Sequence, residues 1–546
     1  MGSGEKAGTA ALCAQPLVLE LLAVLAHIVI FAIEGDFEAL TGDPGRLRHG
    51  GGRARKNAAM CLAMLALMAY GTDVICFVRE KEARRSESKK GSSAQLIIPH
   101  GGRGTSSECL ISGIVLLPMV LASIGADDLA WRASLFSTLS LGTMWAQYLL
   151  RQRSQALHSS MRRPLCVLMS VVAALAGSTF SKTFITTFVF TDITHTLLRH
   201  VYGCFSVGEA IFVAQALTLS MDRAVDTVAD RTSAPNSTYM FVAHIGLTGV
   251  LVSIWSSWLV RKRFRGVITA SILFATSEVC RPLLSTNAMT WVVQRTFSNG
   301  RHVIMLSYWV VLLFCVFSFW STHLSGKAKE RAWLEMTPAL RKAYHLLAIV
   351  MFFPGMFFLP EFLALSMAIA VALMVLLETL RASGYCGASW LEAFMEANVD
   401  DRDRGNALAL THVYLLAGCA APLWLTLMLN ENTSTSKSLL LRCAGLLATG
   451  VGDTMGAVIG SKFGRWKWPA SNRTVEGSLA MFMSLLLASM FIMFVADVAV
   501  FTVQSIAVLV FSTAALALLE ASTEMIDNLL LPLCLFASYT TLLVPT

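Results

Sequence analysis

The sequence predicts an all-α, polytopic transmembrane protein with about fifteen spans, and three observations carry that reading. First, 55% of its 546 residues are hydrophobic and only 14% are charged, with a mean hydropathy of +0.62. That is far more apolar surface than a soluble fold of this size carries. Second, apolar runs long enough for a spanning helix of roughly 20 residues recur along the whole chain. Third, the net charge of +8 gathers in short loops such as 46–56, 79–90 and 261–265. In a membrane protein such bases are orientation signals, and they do not call for a nucleic-acid partner.

In chain order, spans are expected near 15–34, 58–78, 109–125, 129–150, 164–190, 199–219, 239–260, 303–320, 343–359, 361–380, 407–429, 438–458, 478–496, 499–518 and 527–545, with a weaker run near 266–285. The first run is too long for a signal-peptide core and lacks a convincing cleavage site, so it is expected to stay as an anchor. Lys6 stands where a myristoylation signal wants Ser or Thr. The polar, low-complexity stretch 81–104 is expected to be disordered. The twelve cysteines are scattered singly with no CxxC pair, and they are read as small core residues.

The chain divides near Ser325. Residues 1–325 form a multi-span region of unassigned role, and residues 326–546 hold every polar cluster with recognisable chemistry. These clusters are RKAYH at 341–345, EANVDDRDRGNALALTHVYLLAG at 396–418, a Gly-rich hairpin at 449–480, and EASTEMIDNLL at 520–530. An unpaired charge in hydrocarbon costs about 2.5 kcal/mol or more, so such groups mark a polar cavity or a membrane-surface site.

Parity tests whether the clusters meet. With the basic stretch 327–341 taken as cytosolic, two spans turn at FPGMFFLPE and return the chain to the same side for 381–405. The span 407–429 crosses and places the sequon at Asn432 on the far side; 438–458 returns, so 462–473 is cytosolic and the sequon at Asn472 is unusable. Two more crossings bring 520–528 back. All four clusters then share the cytosolic face, and one span more or fewer would separate them.

The hairpin carries the chemistry of phosphoryl transfer, in which positioning and charge neutralisation do most of the catalysis. Gly450, Gly452, Gly456, Gly460 and Gly464 allow close helix packing or close approach of backbone N–H groups to an anion. Lys462, Arg465, Lys467 and Arg473 supply positive charge for a triphosphate, while Asp453 and Glu476 are oxygen donors for a hard cation such as Mg²⁺. The spacing is wrong for a Walker A loop. Small-residue packing with a basic, snorkelling loop is the structural alternative.

At this point a family resemblance becomes specific. GVGDTMGAVIGSKFGRWKWPASNRTVEGSLA resembles the nucleotide-binding signature of dolichol kinases and related polyprenol kinases, G-V-G-D-T, a Gly-rich stretch, W-P, then K-K-T-x-E-G. RKAYHLLAIVMFFPG, DDRDRGNALALTHVYLLAGCAAPLWL and LLEASTEMIDNLLLPL resemble further motifs of that family in the same order, over about residues 338–540. Asn472-Arg473 replaces the paired lysines of the family, and Pro469-Ala470-Ser471 replaces P-G-T.

The resemblance implies transfer of the γ-phosphate of CTP to the terminal hydroxyl of dolichol, with Mg²⁺ or another divalent cation, at a cytosol-facing site in the endoplasmic reticulum membrane. The dolichyl phosphate made there serves protein glycosylation and GPI-anchor synthesis. Asp453, Glu476 and Asp527 are the implied catalytic carboxylates, Asp453 and Glu476 also the metal ligands. Thr474 and Gly477 join the glycines and bases as nucleotide contacts.

Arg341, Lys342, His345, Asp403, Arg404, His412, Glu520 and Asn528 form a second rank. Of these, His345 has an interfacial or core role as its plain alternative, 400–404 a solvated charged loop, His412 helix packing and Glu520 an ordinary helix-end charge. Two other functions stay open. A CTP-using phosphatidate cytidylyltransferase shares a related G-D loop, though its P-G-H-G-G-x-x-D-R-x-D signature is absent. A non-enzymatic transporter would line its path with intramembrane charges, but no inverted repeat is evident.

Overall fold

The computed structural model describes residues 110–124, 129, 132, 133, 135, 136, 180–200, 204–229, 237–260, 264–323, 338–382, 408–429, 435–468, 473–496, 503–522 and 527–543. The spans expected at 15–34 and 58–78, most of that at 129–150, Asp403, Arg404 and Glu524 lie outside these residues. The described chain is helical, with one antiparallel bridge between Lys467 and Thr474.

The helices in order are α1 Leu110–Ser123, α2 Phe180–His200, α3 Val207–Ala229, α4 Thr238–Leu259, α5 Arg265–Val279, α6 Arg281–Leu284, α7 Ala288–Ser298 and α8 Gly300–His323. They continue as α9 Pro338–Phe358, α10 Pro360–Ala382, α11 Thr411–Met428, α12 Thr435–Arg442, a π segment Leu446–Asp453, α13 Thr454–Phe463, α14 Val475–Val495, α15 Val503–Ser522 and α16 Asp527–Leu543. Among the described residues five helices are long and apolar enough to cross a membrane, and a sixth crossing is added if α7 and α8, bent 91° at Asn299, count as one span.

Two expectations are corrected. The break expected between 190 and 199 falls inside α2, where the hydroxyls of Thr191 and Thr194 donate to the carbonyls of Thr187 (2.8 Å) and Phe190 (2.9 Å), so the polar run is accommodated within the helix with its hydroxyls satisfied. The Gly-rich stretch is helical through Phe463 and again from Val475, and among the described residues between them 464–468, 473 and 474 are outside the helices.

Described helices on both sides of Ser325 pack together. One hydrophobic core runs through residues of α1 to α4, α6, α8 to α12, the π segment and α14 to α16. α4 packs on α10 and α1 on α16, and the Leu408 N–H reaches Cys204 Sγ at 3.2 Å. Along α14 the outer face is an apolar stripe of Leu479, Met483, Leu487 and Phe491, while Met481, Leu485 and Ile492 on the opposite face are buried. That division, at helical spacing, suits a helix with hydrocarbon on one side and protein on the other.

Prolines inside spans are offset by their neighbours. Pro354 removes the N–H that the Val350 carbonyl would accept in an unbroken helix, and the Tyr308 hydroxyl donates to that carbonyl at 2.6 Å instead. Pro532 likewise leaves the Asn528 carbonyl without its helical donor. Here α11 closes in: a β-carbon at Gly418 would sit 1.7 Å from the Asn528 oxygen. Only glycine allows this approach, and it holds the N-terminal end of α16 against the bundle.

Candidate active site

Four parts of the chain meet at one buried polar cluster. The first turns of α9 present Lys342 and His345, and the junction of the π segment with α13 presents Asp453. The hairpin contributes Arg473, and the end of α15 with the start of α16 contributes Glu520, Asp527 and Asn528. Lys342 Nζ donates to Asp453 Oδ2. His345 Nε2 lies 3.6 Å from the same oxygen and 3.2 Å from Asn528 Oδ1. Arg473 spans the other half, Nη1 donating to Glu520 Oε1 and Nη2 to Asp527 Oδ2 at 2.7 Å. Arg473 also lies within electrostatic reach of Asp453, which joins the halves.

Local structure explains each placement. A π turn adds one residue per turn to the α repeat, so it changes the direction in which the following side chain leaves the axis. Asp453 is the last residue of that segment. Gly452 faces Leu485 of α14 where a β-carbon would lie 2.9 Å from its side chain, so α14 lies close behind the aspartate. Asp453 is 3% exposed, and a carboxylate so enclosed requires its charge partners.

The hairpin is held by its own backbone. Trp468 N–H donates to the Arg473 carbonyl at 3.0 Å and Val475 N–H to the Trp466 carbonyl at 2.8 Å. Glu476, in the first turn of α14, accepts from the N–H groups of Arg465 at 2.9 Å and Trp466 at 3.2 Å. Thr474 is the N-cap of α14, its hydroxyl accepting from Gly477 N–H at 3.2 Å. With the base pinned, Arg473 turns inward while Lys462, Arg465 and Lys467 stay exposed. Burial disfavours charge on Arg473, but Asp527, Glu520 and Asp453 outweigh it and raise its pKa above the ordinary arginine value.

Several expected roles change in this geometry. Gly450, Gly452, Gly456 and Gly460 lie in helical turns, whose N–H groups belong to the helix, so they do not form an open phosphate cradle. Gly456 and Gly460 meet Gly477 instead, at 3.3 Å from its carbonyl and 3.4 Å from its Cα as measured from an added β-carbon, a small-residue contact between α13 and α14. Gly464 turns the chain out of α13, its N–H on the Gly460 carbonyl at 3.1 Å. Glu476, expected as a metal ligand with Asp453, is half-buried, and its carboxylate is engaged with the hairpin backbone. His412 stands half-buried in the first turn of α11. Arg341 falls in α9, ahead of Lys342.

The cluster also contains pairings that no motif announces. Glu520, an ordinary helix-end acid by sequence, is one of the two anchors of Arg473. Nearby, the buried Glu378 binds Arg381 through two bonds of 2.9 and 2.7 Å and accepts from Ala409 N–H. It thereby ties the end of α10 to the entry of α11. The one available signal was an acid and a base three residues apart at the end of an apolar run.

Chemically, two cations face three carboxylates, a formal excess of one negative charge. Among the described residues no three His, Cys, Asp or Glu side chains are grouped to hold a metal ion by themselves. Hard carboxylate oxygens in a mixed-charge site fit an ion such as Mg²⁺, which keeps waters and takes most of its remaining ligands from phosphate.

Comparison with known proteins gives a family likeness. A family model described as dolichol kinase matches residues 173–482. The span crosses Ser325, so the likeness reaches well into the half that resembled nothing by motif; it includes Lys342, His345, Asp453 and Arg473 and ends before Glu520 and Asp527. The human protein named dolichol kinase is 29% identical over 370 residues, 64% of this chain and 67% of its own length. Dolichol kinase EVAN of Arabidopsis thaliana is 31% identical over 259 residues, 45% of this chain and 42% of its own. Dolichol kinase sec59 of Schizosaccharomyces pombe is 26% identical over 260 residues, 46% of this chain and 49% of its own. No solved structure matches.

Proposed function

The chain belongs to the dolichol kinase family, and from that premise we propose that it transfers the γ-phosphate of CTP to the terminal hydroxyl of dolichol, using Mg²⁺, at the cytosolic face of the endoplasmic reticulum membrane. The observation that carries the reading is the convergence of Lys342, Asp453, Arg473, Glu520 and Asp527, from segments far apart in sequence, on one buried cluster. The bond from phosphorus to the β,γ-bridging oxygen breaks, a bond from phosphorus to the dolichol oxygen forms, and cytidine diphosphate leaves. Bound metal would neutralise phosphate charge as the leaving oxygen develops.

The residues divide the work as follows. Asp453, the more enclosed acid, takes the metal side; Asp527, its side chain 16% exposed against 4% for Asp453, is open to the lipid hydroxyl, orients it and accepts its proton. Arg473 binds phosphate in two-pronged fashion, a guanidinium being suited to that geometry. Glu476 and Thr474 hold the hairpin that carries it. A very long isoprenoid cannot leave the bilayer and a nucleotide cannot enter it, so the site belongs where helices reach the membrane surface. The full span count of about fifteen, which sets the parity for a cytosolic site, is part of this proposal.

The test uses membranes containing the protein, dolichol, and CTP labelled at either the γ- or the α-phosphate. Label passing into lipid from γ only is the expected result. Transfer from α only would indicate a cytidylyltransferase, and transfer from neither would remove the phosphotransferase reading. A parallel series with ATP, GTP and UTP settles the donor.

A further inference from the structure

We propose that Lys342 contacts the phosphoryl group during transfer, forming with Arg473 a two-sided cationic clamp. This rests on the reading of the cluster as the kinase site. The motif places Lys342 only at the entry to a span, where a lysine would ordinarily snorkel to the membrane surface. The fold instead turns it onto Asp453.

The order of exposure within the cluster is what points to a substrate contact. The side chains of Lys342 and Arg473 are 19% and 30% exposed, whereas those of Asp453, Glu520 and Asp527 are 4%, 9% and 16% exposed. Both cations are thus more open to solvent than any carboxylate of the cluster, and a phosphate oxygen can reach each of them without displacing the acid it pairs with. The cations come from different elements, α9 and the hairpin, and each is held by acids of other elements: Lys342 by Asp453, Arg473 by Glu520 and Asp527. Glu520 lies within electrostatic reach of both, so the two positive groups share one compartment.

Such an arrangement is preorganised. Fixed cations aimed where charge develops need little reorganisation when a phosphoryl group passes between donor and acceptor oxygens. His345, one turn further along α9, completes the support by joining Asp453 to Asn528.

A contact made mainly in the transition state lowers kcat and kcat/KM together and leaves KM nearly unchanged. Lys342→Gln should therefore reduce kcat about 100- to 1000-fold, the scale for removing one preorganised donor, with the nucleotide and dolichol KM values each within about threefold of wild type. Lys342→Arg, which keeps the charge, should retain far more turnover. Because Lys342→Gln leaves Asp453 buried without its cation, a change that destabilises the fold as well as the site, Lys342→Cys provides the second arm. Alkylation with 2-bromoethylamine rebuilds a lysine-length ammonium there, and it should restore turnover in that variant, wild type being treated in parallel.

Wild-type protein assayed first separates the two layers of the argument. If it transfers no phosphate to dolichol from any nucleoside triphosphate, the kinase reading fails. If it does, a well-folded Lys342→Gln variant within threefold of wild-type kcat overturns the clamp. So does a loss accompanied by a lowered melting temperature that aminoethylation of Lys342→Cys leaves unrepaired, since that marks a structural bridge.

Discussion

Replacing Arg473 tests the geometry most directly, because one guanidinium there serves both folding and substrate. It bridges Glu520 and Asp527, whose side chains are only 9% and 16% exposed. Arg473→Ala leaves both carboxylates in a poor solvent environment without a partner, a change that typically destabilises by about 3–5 kcal/mol. Arg473→Lys keeps the charge but has one nitrogen where two were used, and losing one charge-assisted bond costs about 1.5–3 kcal/mol. If the guanidinium also holds phosphate, the same scale applied to binding raises the nucleotide KM of the Ala variant about 10- to 150-fold, with a much smaller change for dolichol.

The two effects can be separated. The triple variant Arg473→Ala, Glu520→Gln, Asp527→Asn removes the cation and both charges it compensated, so thermal stability in detergent should recover toward wild type while transfer is lost with the Asp527 carboxylate. The measurements are melting of the solubilised protein and initial rates of labelled transfer with each substrate varied in turn. A well-folded Arg473→Ala variant with wild-type nucleotide KM would refute the phosphate contact. A triple variant no more stable than Arg473→Ala would refute the bridging account. Since the pKa of Arg473 is raised above the ordinary arginine value, its stabilising charge is fully present throughout the neutral and moderately alkaline range and would be lost only far into alkali. No alkaline limb in an ordinary pH–rate profile should come from this group.

Asp453→Asn, nearly isosteric, should abolish transfer while the protein still inserts, and near-normal turnover would sink the assignment of that carboxylate to the metal side. Glu476→Gln keeps the shape of the hairpin clasp but weakens two charge-assisted bonds; we expect the nucleotide KM to rise about tenfold with kcat little changed, read from initial rates. Gly418→Ala brings a β-carbon to 1.7 Å from the Asn528 carbonyl. It should displace the start of α16 and depress kcat and melting temperature together, whereas an unperturbed melting curve would show that α11 and α16 do not pack as described.

Much of the chain is legible one segment at a time. Apolar runs near 239–260, 361–380 and 478–496 announce helices, and the helices found, Thr238–Leu259, Pro360–Ala382 and Val475–Val495, differ from them by a few residues at each end. The reason is local: a span must be about 20 residues of apolar helix whatever it packs against. Glycine spacing is local too, but its meaning is not. The same Gly-rich string reads as an open anion loop or as a helix seam, and only the position of Gly477 on α14 decides for the seam.

Sequence alone determines that this is a helical membrane chain with acids and bases gathered near the ends of its spans, and its motifs carry the family. Tertiary structure alone decides which acid meets which base. Lys342 and Asp453 are 111 positions apart, Arg473 and Glu520 47, and Arg473 and Asp527 54. Nothing in local propensity selects those partners. They are chosen by helix packing: the π turn that aims Asp453, the glycines that bring α13 onto α14, and the approach of Gly418 that seats the start of α16. A buried charge is tolerated only where such packing delivers its counter-charge, so the site exists only once these helices have come together.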